Sequence, residues 1–298
     1  MLNKIAGLTL AAGLAFAGSA FAADLPVRTL APAYAPPVFT WTGFYVGVNA
    51  GYTWSDRNLI RTTSVPGACN LAFPGCAVVP NYSVTSAALA TFTLPTRQKG
   101  FIGGAQIGYN WQFNNFVAGI EADIQGIGSN RSGSTAVTAL GNINFPGFPL
   151  VQTASVSKSL NYLGTVRARL GFLATPSFLL YATGGFAYGE EKARTTITQN
   201  LPAAGASLIP GTSVGSLSRT RYGWTVGGGG EWKFTQNWSV KGEYLYYSLG
   251  KARYTSSPLI LLGGPGSVAP GTVFSSSTAT SSTDFRGHIV RLGLNYAF

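Results

Sequence analysis

Charge, histidine and long apolar runs are all scarce in this sequence, and each scarcity excludes something. Only 10% of the 298 residues are charged, whereas water-soluble domains carry about a quarter. That deficit counts against a soluble enzyme. It suits a barrel whose strands each turn one face to lipid, with charge needed only inside and in the loops. The single histidine, His288, leaves little material for the Ser-His or His-metal sites on which hydrolytic enzymes depend. It falls in phase with the lipid-facing side of its segment, with no nearby serine in a suitable pattern, so no catalytic residue and no enzymatic activity are predicted. Past the N-terminus no segment reaches the roughly 18 to 20 continuous apolar residues of a spanning helix. A membrane protein with this sequence must cross with strands.

Cysteine is scarce too. Cys69 and Cys76 are the only two, both in one Pro- and Gly-containing stretch. Two thiols far from the lone histidine are too few ligands for a metal, so the pair is predicted to form a disulfide in an oxidising compartment. No metal and no cofactor are expected. The glycines at 227–230 and 103–108 neither open a helix nor lead into the Gly-Lys-Ser/Thr of a phosphate loop. In a small barrel such glycines relieve crowding and let strands curve.

What is present begins with an export signal. Lys4 gives a basic start, Ile5 to Phe16 is apolar, and Ala20-Phe21-Ala22 supplies the small-x-small pattern of a cleavage site. Residues 1–22 therefore read as a signal peptide. Residues 23–40 carry Pro26, Pro32, Pro36 and Pro37 and read as an extended periplasmic tail.

From residue 41 to 298 period-two patterns recur, each about 10 to 14 residues long. Eight are distinguishable: Gly43 to Trp54, Gly100 to Phe113, Phe116 to Gly128, Leu160 to Phe172, Phe178 to Tyr188, Tyr222 to Phe234, Trp238 to Ser248, and a last one ending at Phe298. The first sets Phe44, Val46, Val48, Ala50, Tyr52 and Trp54 on one face, with small or polar residues on the other. The links at Asn114-Asn115, Thr175-Pro176-Ser177 and Thr235-Gln236-Asn237 are short. Those at 55–99, 129–159, 189–221 and 249–285 are long and rich in Ser, Thr, Gly, Pro and Ala. An even strand number with alternating short and long links predicts an all-β fold, an eight-stranded antiparallel transmembrane up-and-down barrel. Short turns would face the periplasm, and four long, solvent-facing loops the exterior. The expected location is the outer membrane of a Gram-negative bacterium. All six tryptophans fall at predicted strand ends, as two interfacial girdles require.

Sorting the charges by phase puts Glu121, Asp123, Glu231 and Glu243 on the inward face with Arg167, Arg169, Lys233, Lys241 and Arg291. An eight-stranded barrel encloses about enough room for side chains, and buried charges must be paired. These nine are predicted to form an ion-pair network that plugs the lumen. The alternative is that the same residues line a small-solute channel. The net charge of +11 lies mostly in the long links. There the nearest polyanion is lipopolysaccharide phosphate, and Arg219, Arg221, Lys251 and Arg253 are its predicted contacts. A pI near 9.8 also suits nucleic acid, but export and the absence of a basic helix or recognised module exclude that partner. No sequence feature specifies a homo-oligomer.

Three stretches carry a family resemblance: residues 39–47 (FTWTGFYVG), residues 181–189 (YATGGFAYG) and the C-terminal residues 291–298 (RLGLNYAF). With these the chain resembles the small outer-membrane β-barrel proteins of alphaproteobacteria, the outer membrane immunogenic protein group with an OmpA-like transmembrane topology. The resemblance covers essentially the whole mature chain. It implies an eight-stranded, surface-exposed envelope protein, often called porin-like, with a structural and surface-interaction role and no catalytic residues to carry over. The terminal Tyr296-Ala297-Phe298 resembles the signal read by the barrel assembly machinery.

Overall fold

The computed structural model describes residues 39–56, 58–67, 80–130, 132–142, 145–200, 208–263 and 273–298. The expected signal peptide, the tail before residue 39, and the Cys69–Cys76 pair lie outside the described residues. In chain order the elements are β1 (Gly43–Ser55), β2 (Asn58–Pro66), α1 (Pro80–Leu89), β3 (Phe92–Thr96), β4 (Lys99–Phe113), β5 (Phe116–Asn130), β6 (Ser132–Asn142), β7 (Phe145–Thr175), β8 (Phe178–Asn200), β9 (Leu208–Ile209), β10 (Gly211–Lys233), β11 (Trp238–Thr255), β12 (Leu259–Gly263) and β13 (Val273–Ala297).

Eight of these make a ring. The strands β1, β4, β5, β7, β8, β10, β11 and β13 pair antiparallel in that order, and β13 pairs back onto β1 from Tyr45–Ala297 to Ser55–Gly287. Each includes, to within one residue at its end, one of the eight alternating segments read from the sequence. At one end the staves join by short turns, between Phe113 and Phe116, Thr175 and Phe178, and Lys233 and Ser239. Asn114 supplies the left-handed φ of +52° that its turn needs. Among the described residues no helix is long and apolar enough to cross a membrane.

Toward the other end the staves outrun the expected 10 to 14 residues. The strand β7 has 31 residues, β8 and β10 have 23 each, and β13 has 25. Among the described residues the long links after β5, β8 and β11 are therefore largely strand, where loops were expected, and the link after β1 holds two short strands and a helix. The reason is visible in how polarity inverts along each stave. Low on β8, Leu180, Ala182 and Phe186 point out and Thr183 points in; high on β8, Lys192, Arg194 and Thr196 point out while Ala193 and Ile197 are buried inside. Low on β13, Leu292 and Leu294 point out over an inward Arg291; high on it, Ser282 and Arg286 point out over an inward Phe285. Apolar-out is the alternation that hydrocarbon selects, and apolar-in is the one that water selects. The switch falls at a band of outward rings including Trp54, Tyr188, Tyr222, Trp224, Tyr246 and His288. That band marks one edge of the hydrocarbon layer.

Above the band the wall is rebuilt. The strand β2 takes over β1's place beside β13, from Arg61–Ser282 to Pro66–Ser277, β3 pairs with β2, and β6 pairs with β7. The helix α1 fills the space within. Ser86 Oγ donates to Gln199 Oε1 at 2.7 Å, Gln152 Nε2 donates to the Leu89 carbonyl at 2.7 Å, and the buried Ala90 packs with Ile197, Leu259 and Ala279.

A seam interrupts this wall between β10 and β11. The ladder of β10 with β11 runs only between Trp224–Ser248 and Lys233–Ser239. Above it β10 continues on β8 alone and β11 on β13 alone. The two edges meet again where the Ser257 N–H donates to the Val214 carbonyl at 3.0 Å. The divergence starts at a bulge between Ser248 and Gly250, whose φ of +81° suits glycine.

At the short-turn end one tryptophan departs from the girdle expectation. Trp41 is 2% exposed, its indole N–H donates to the Pro176 carbonyl at 3.0 Å, and its ring packs on Val117, Leu173, Leu179 and Tyr181. The chain turns inward before β1, so this ring floors the lumen. The other five tryptophans are exposed on the outer face.

Candidate functional site

The lumen is built by alternation. Each inward position on β5, β7, β10, β11 and β13 delivers a side chain to the same narrow space, and glycines make room where the bulkiest arrive. Gly51 lies opposite Arg291 and Gly185 opposite Arg167 in the strand registers. A Cβ at Gly185 would stand 2.2 Å from the Val166 carbonyl oxygen and 2.7 Å from the Arg167 Cα.

Eight of the nine inward charges converge in one layer. Arg167 donates to Glu121 at 2.5 Å, Asp123 at 2.9 Å and Glu243 at 2.8 Å. Arg291 donates to Glu243 and Asp123, and through Nη1 to Gln125 Oε1 at 3.1 Å. Lys241 Nζ reaches both oxygens of Glu121 at 2.7 Å. Arg169 holds Glu231 at 2.5 Å, donates to the Tyr45 hydroxyl at 3.0 Å, and stacks over the Tyr181 ring at 4.1 Å. Four carboxylates thus face four cations, all buried. Lys233 stands apart, donating to the Thr40 carbonyl and lying 5.0 Å over the Trp41 ring.

Sequence reasoning missed the neutral partners. The Tyr45 hydroxyl donates to Glu121 at 2.6 Å, Tyr181 donates to Glu243 at 3.2 Å, and Ser239 and Asn295 donate to Glu231 at 2.6 and 2.9 Å. Ser239 and Asn295 share the parity of the inward charges on their strands, and Tyr45 that of the small and polar residues on β1, which was the signal available.

Toward the long-strand end this layer is covered by buried apolar side chains, including Ile102, Leu160, Leu163, Leu245, Phe285 and Ile289. Beyond them, outside the membrane-spanning part, sit Glu191 and Lys158. Neither Glu191 oxygen accepts a hydrogen bond from a described residue, and Arg221 Nε is 3.5 Å away. Burial pushes the Glu191 carboxyl up to about 8 against the pull of Arg221 and Lys158. Burial likewise pushes the Lys158 ammonium down to about 7, opposed by Glu191 and Asp284; the ammonium donates to the Asp284 carbonyl and lies 3.8 Å over the Phe285 ring.

The four cations assigned to lipopolysaccharide all lie at the seam. Lys251 and Arg253 point outward on β11, and Arg219 is exposed on β10. Arg221 is turned across the seam instead, donating to the carbonyls of Leu249 at 3.4 Å and Lys251 at 2.8 Å. His288, on the outer face, is hydrogen-bonded to Tyr244 at 2.6 Å and Asp56 at 2.9 Å, and stacks on Trp54 at 5.5 Å. Phe298, 76% exposed, rests edge-on against Tyr296, and its N–H donates to the Phe44 carbonyl at 3.0 Å.

Residues 8–298 match the family model described as outer membrane protein beta-barrel domain. The chain belongs to that family. Among its relatives is the 31 kDa outer-membrane immunogenic protein of Brucella melitensis, 34% identical over 286 residues and 95% of each chain. The 22 kDa outer membrane protein of Rhizobium leguminosarum is 28% identical over 70% of this chain and 65% of its own. Of solved structures, the outer membrane protein OprG of Pseudomonas aeruginosa aligns over 88% of this chain and 99% of its own, with 12% identity and a TM-score of 0.40. The chain is thus an outer-membrane β-barrel surface protein of a Gram-negative bacterium, related to outer-membrane immunogenic proteins.

Proposed function

We propose that this family member is a non-conducting envelope protein: a structural wall element whose long-strand end is the cell-surface face, with no catalytic activity. One observation carries the reading. The four-against-four charge layer, with Arg167 and Arg291 each 1% exposed, occupies the cross-section that an ion would have to cross. In low dielectric, opening such a layer strands unpaired charge at a cost of several kcal/mol. The Trp41 floor below and the apolar layer above support the same reading. His288, the one histidine, is held among Tyr244, Asp56 and Trp54 on the outer face, where it anchors β13 to its neighbours at the membrane edge.

The test is conductance in a planar bilayer. The intact barrel should give no stable openings, while Arg167→Ala and Glu243→Ala should introduce leak. Regular single-size openings in the unaltered protein that disappear in those variants would establish the small-solute channel instead.

A further inference from the structure

The seam cations suggest where this surface would meet its lipid, but the strand registers identify a different and tighter arrangement. On β13, Ser282 is registered with Arg253 of β11 on one side and with Arg61 of β2 on the other. All three side chains point outward. Among the described residues neither guanidinium has a carboxylate within ion-pair distance. The next row toward the barrel end is all hydroxyl, Thr255, Thr280 and Thr63. One row toward the membrane, Lys251 is registered with an outward carboxylate, Asp284.

Neighbouring strands lie about 4.8 Å apart, so the two arginine backbones are separated by roughly 10 Å with a hydroxyl midway. Side chains of that length can both reach one group placed over Ser282. A guanidinium fork on each side and a hydroxyl beneath match a phosphate, which accepts bidentate pairs from arginine better than from lysine. Ser282 is six residues along β13 from His288 in the aromatic band. At about 3.3 Å per residue on a tilted strand, the row stands on the order of 15 Å beyond the hydrocarbon edge, on the side wall and not at the barrel tip. A phosphate there belongs to the headgroup of a surrounding glycolipid more readily than to a free solute.

We propose that Arg61, Ser282 and Arg253 form a clamp for a phosphate of the lipopolysaccharide headgroup. The clamp rests on the reading above that the long-strand end faces the exterior. Sequence could not place it, because Arg61 and Arg253 are distant in the chain and become neighbours only when β2 replaces β1 beside β13.

The experiment titrates the refolded full-length barrel with purified lipopolysaccharide, with the same lipid after enzymatic dephosphorylation, and with inorganic phosphate. Arg61→Gln/Arg253→Gln should bind intact lipopolysaccharide at least tenfold more weakly. Lys192→Gln/Arg194→Gln, which removes the same charge from the outer face of β8, should bind as the parent does. Dephosphorylation should cost the parent as much as the clamp substitutions do, and inorganic phosphate should compete only at millimolar levels. Equal losses in both double variants, or unchanged binding after dephosphorylation, would overturn the clamp. Strong competition by inorganic phosphate would reassign it to a free anion. Labelling of Arg253→Cys by a membrane-impermeant maleimide on intact cells, above the parent's background, tests the orientation separately; absence of labelling would sink the outward-facing reading itself.

Discussion

Arg221 donates to the backbone carbonyl of Lys251 at 2.8 Å, across the one stretch of the wall where β10 and β11 share no ladder. Its guanidinium stands in for the missing strand pairing, with Glu191 beneath it at 3.5 Å. Exposed strand edges invite non-native pairing, and here a side chain covers them.

Arg221→Ala should therefore loosen the seam locally. A hydrogen bond from a charged donor contributes about 1.5 to 3 kcal/mol, so amide exchange along residues 215–223 and 249–256 should quicken by roughly tenfold or more. Exchange at the β1–β13 closure should not change. Uniform acceleration around the ring would show that Arg221 supports the barrel as a whole.

The lumen layer should respond to the loss of one partner. Arg167→Met strands parts of Glu121, Asp123 and Glu243, and breaking a buried ion pair costs about 3 to 5 kcal/mol. Urea unfolding in lipid vesicles measures this. A loss under about 1 kcal/mol would mean that water reaches the layer.

Adjacent glycines on β8 separate crowding from flexibility. Gly185→Ala places a methyl 2.2 Å from the Val166 carbonyl oxygen and should cost at least the 1 to 3 kcal/mol of an overpacked site. Gly184→Ala points outward, with its nearest neighbour 3.6 Å away, and should be neutral or slightly stabilising. Equal effects in the same unfolding assay would refute the close-approach argument.

The Glu191 carboxyl, raised to about 8 by burial, gives a signed pH dependence. Between the ordinary carboxylate value and 8 the folded form holds the proton more tightly than the unfolded form, so its contribution is full at low pH and is lost as pH rises through 8. Lys158, lowered to about 7, acts oppositely from 7 upward. Protection factors in the upper half of β8 should fall from pH 5 to 7 in the parent. In Glu191→Gln that slope should vanish. A slope that survives belongs to another group.

Phe298 offers a test of assembly against stability. Its ring is largely exposed and rests against Tyr296, so Phe298→Ala should refold from urea nearly as the parent does yet accumulate poorly in the outer membrane. Poor refolding of the purified variant would assign the residue to packing instead of recognition by the assembly machinery.

The sequence by itself determined the eight staves below the aromatic band, their three tight turns and the facing of the side chains within those segments, including the inward set from Glu121 to Arg291. Facing is a local property: parity along a strand, sorted by whichever solvent lies outside, is written in consecutive residues. Partners are not local. That Arg167 reaches Glu243, that Trp41 turns inward, that β2 brings Arg61 beside Ser282, and that Arg221 bridges a seam all depend on ring closure and on the stagger between strands. The long links misled because their serines and threonines read as loop. Above the aromatic band the outside solvent is water, so the same alternation continues with its polarity reversed, and only the closed barrel fixes the height at which that reversal falls.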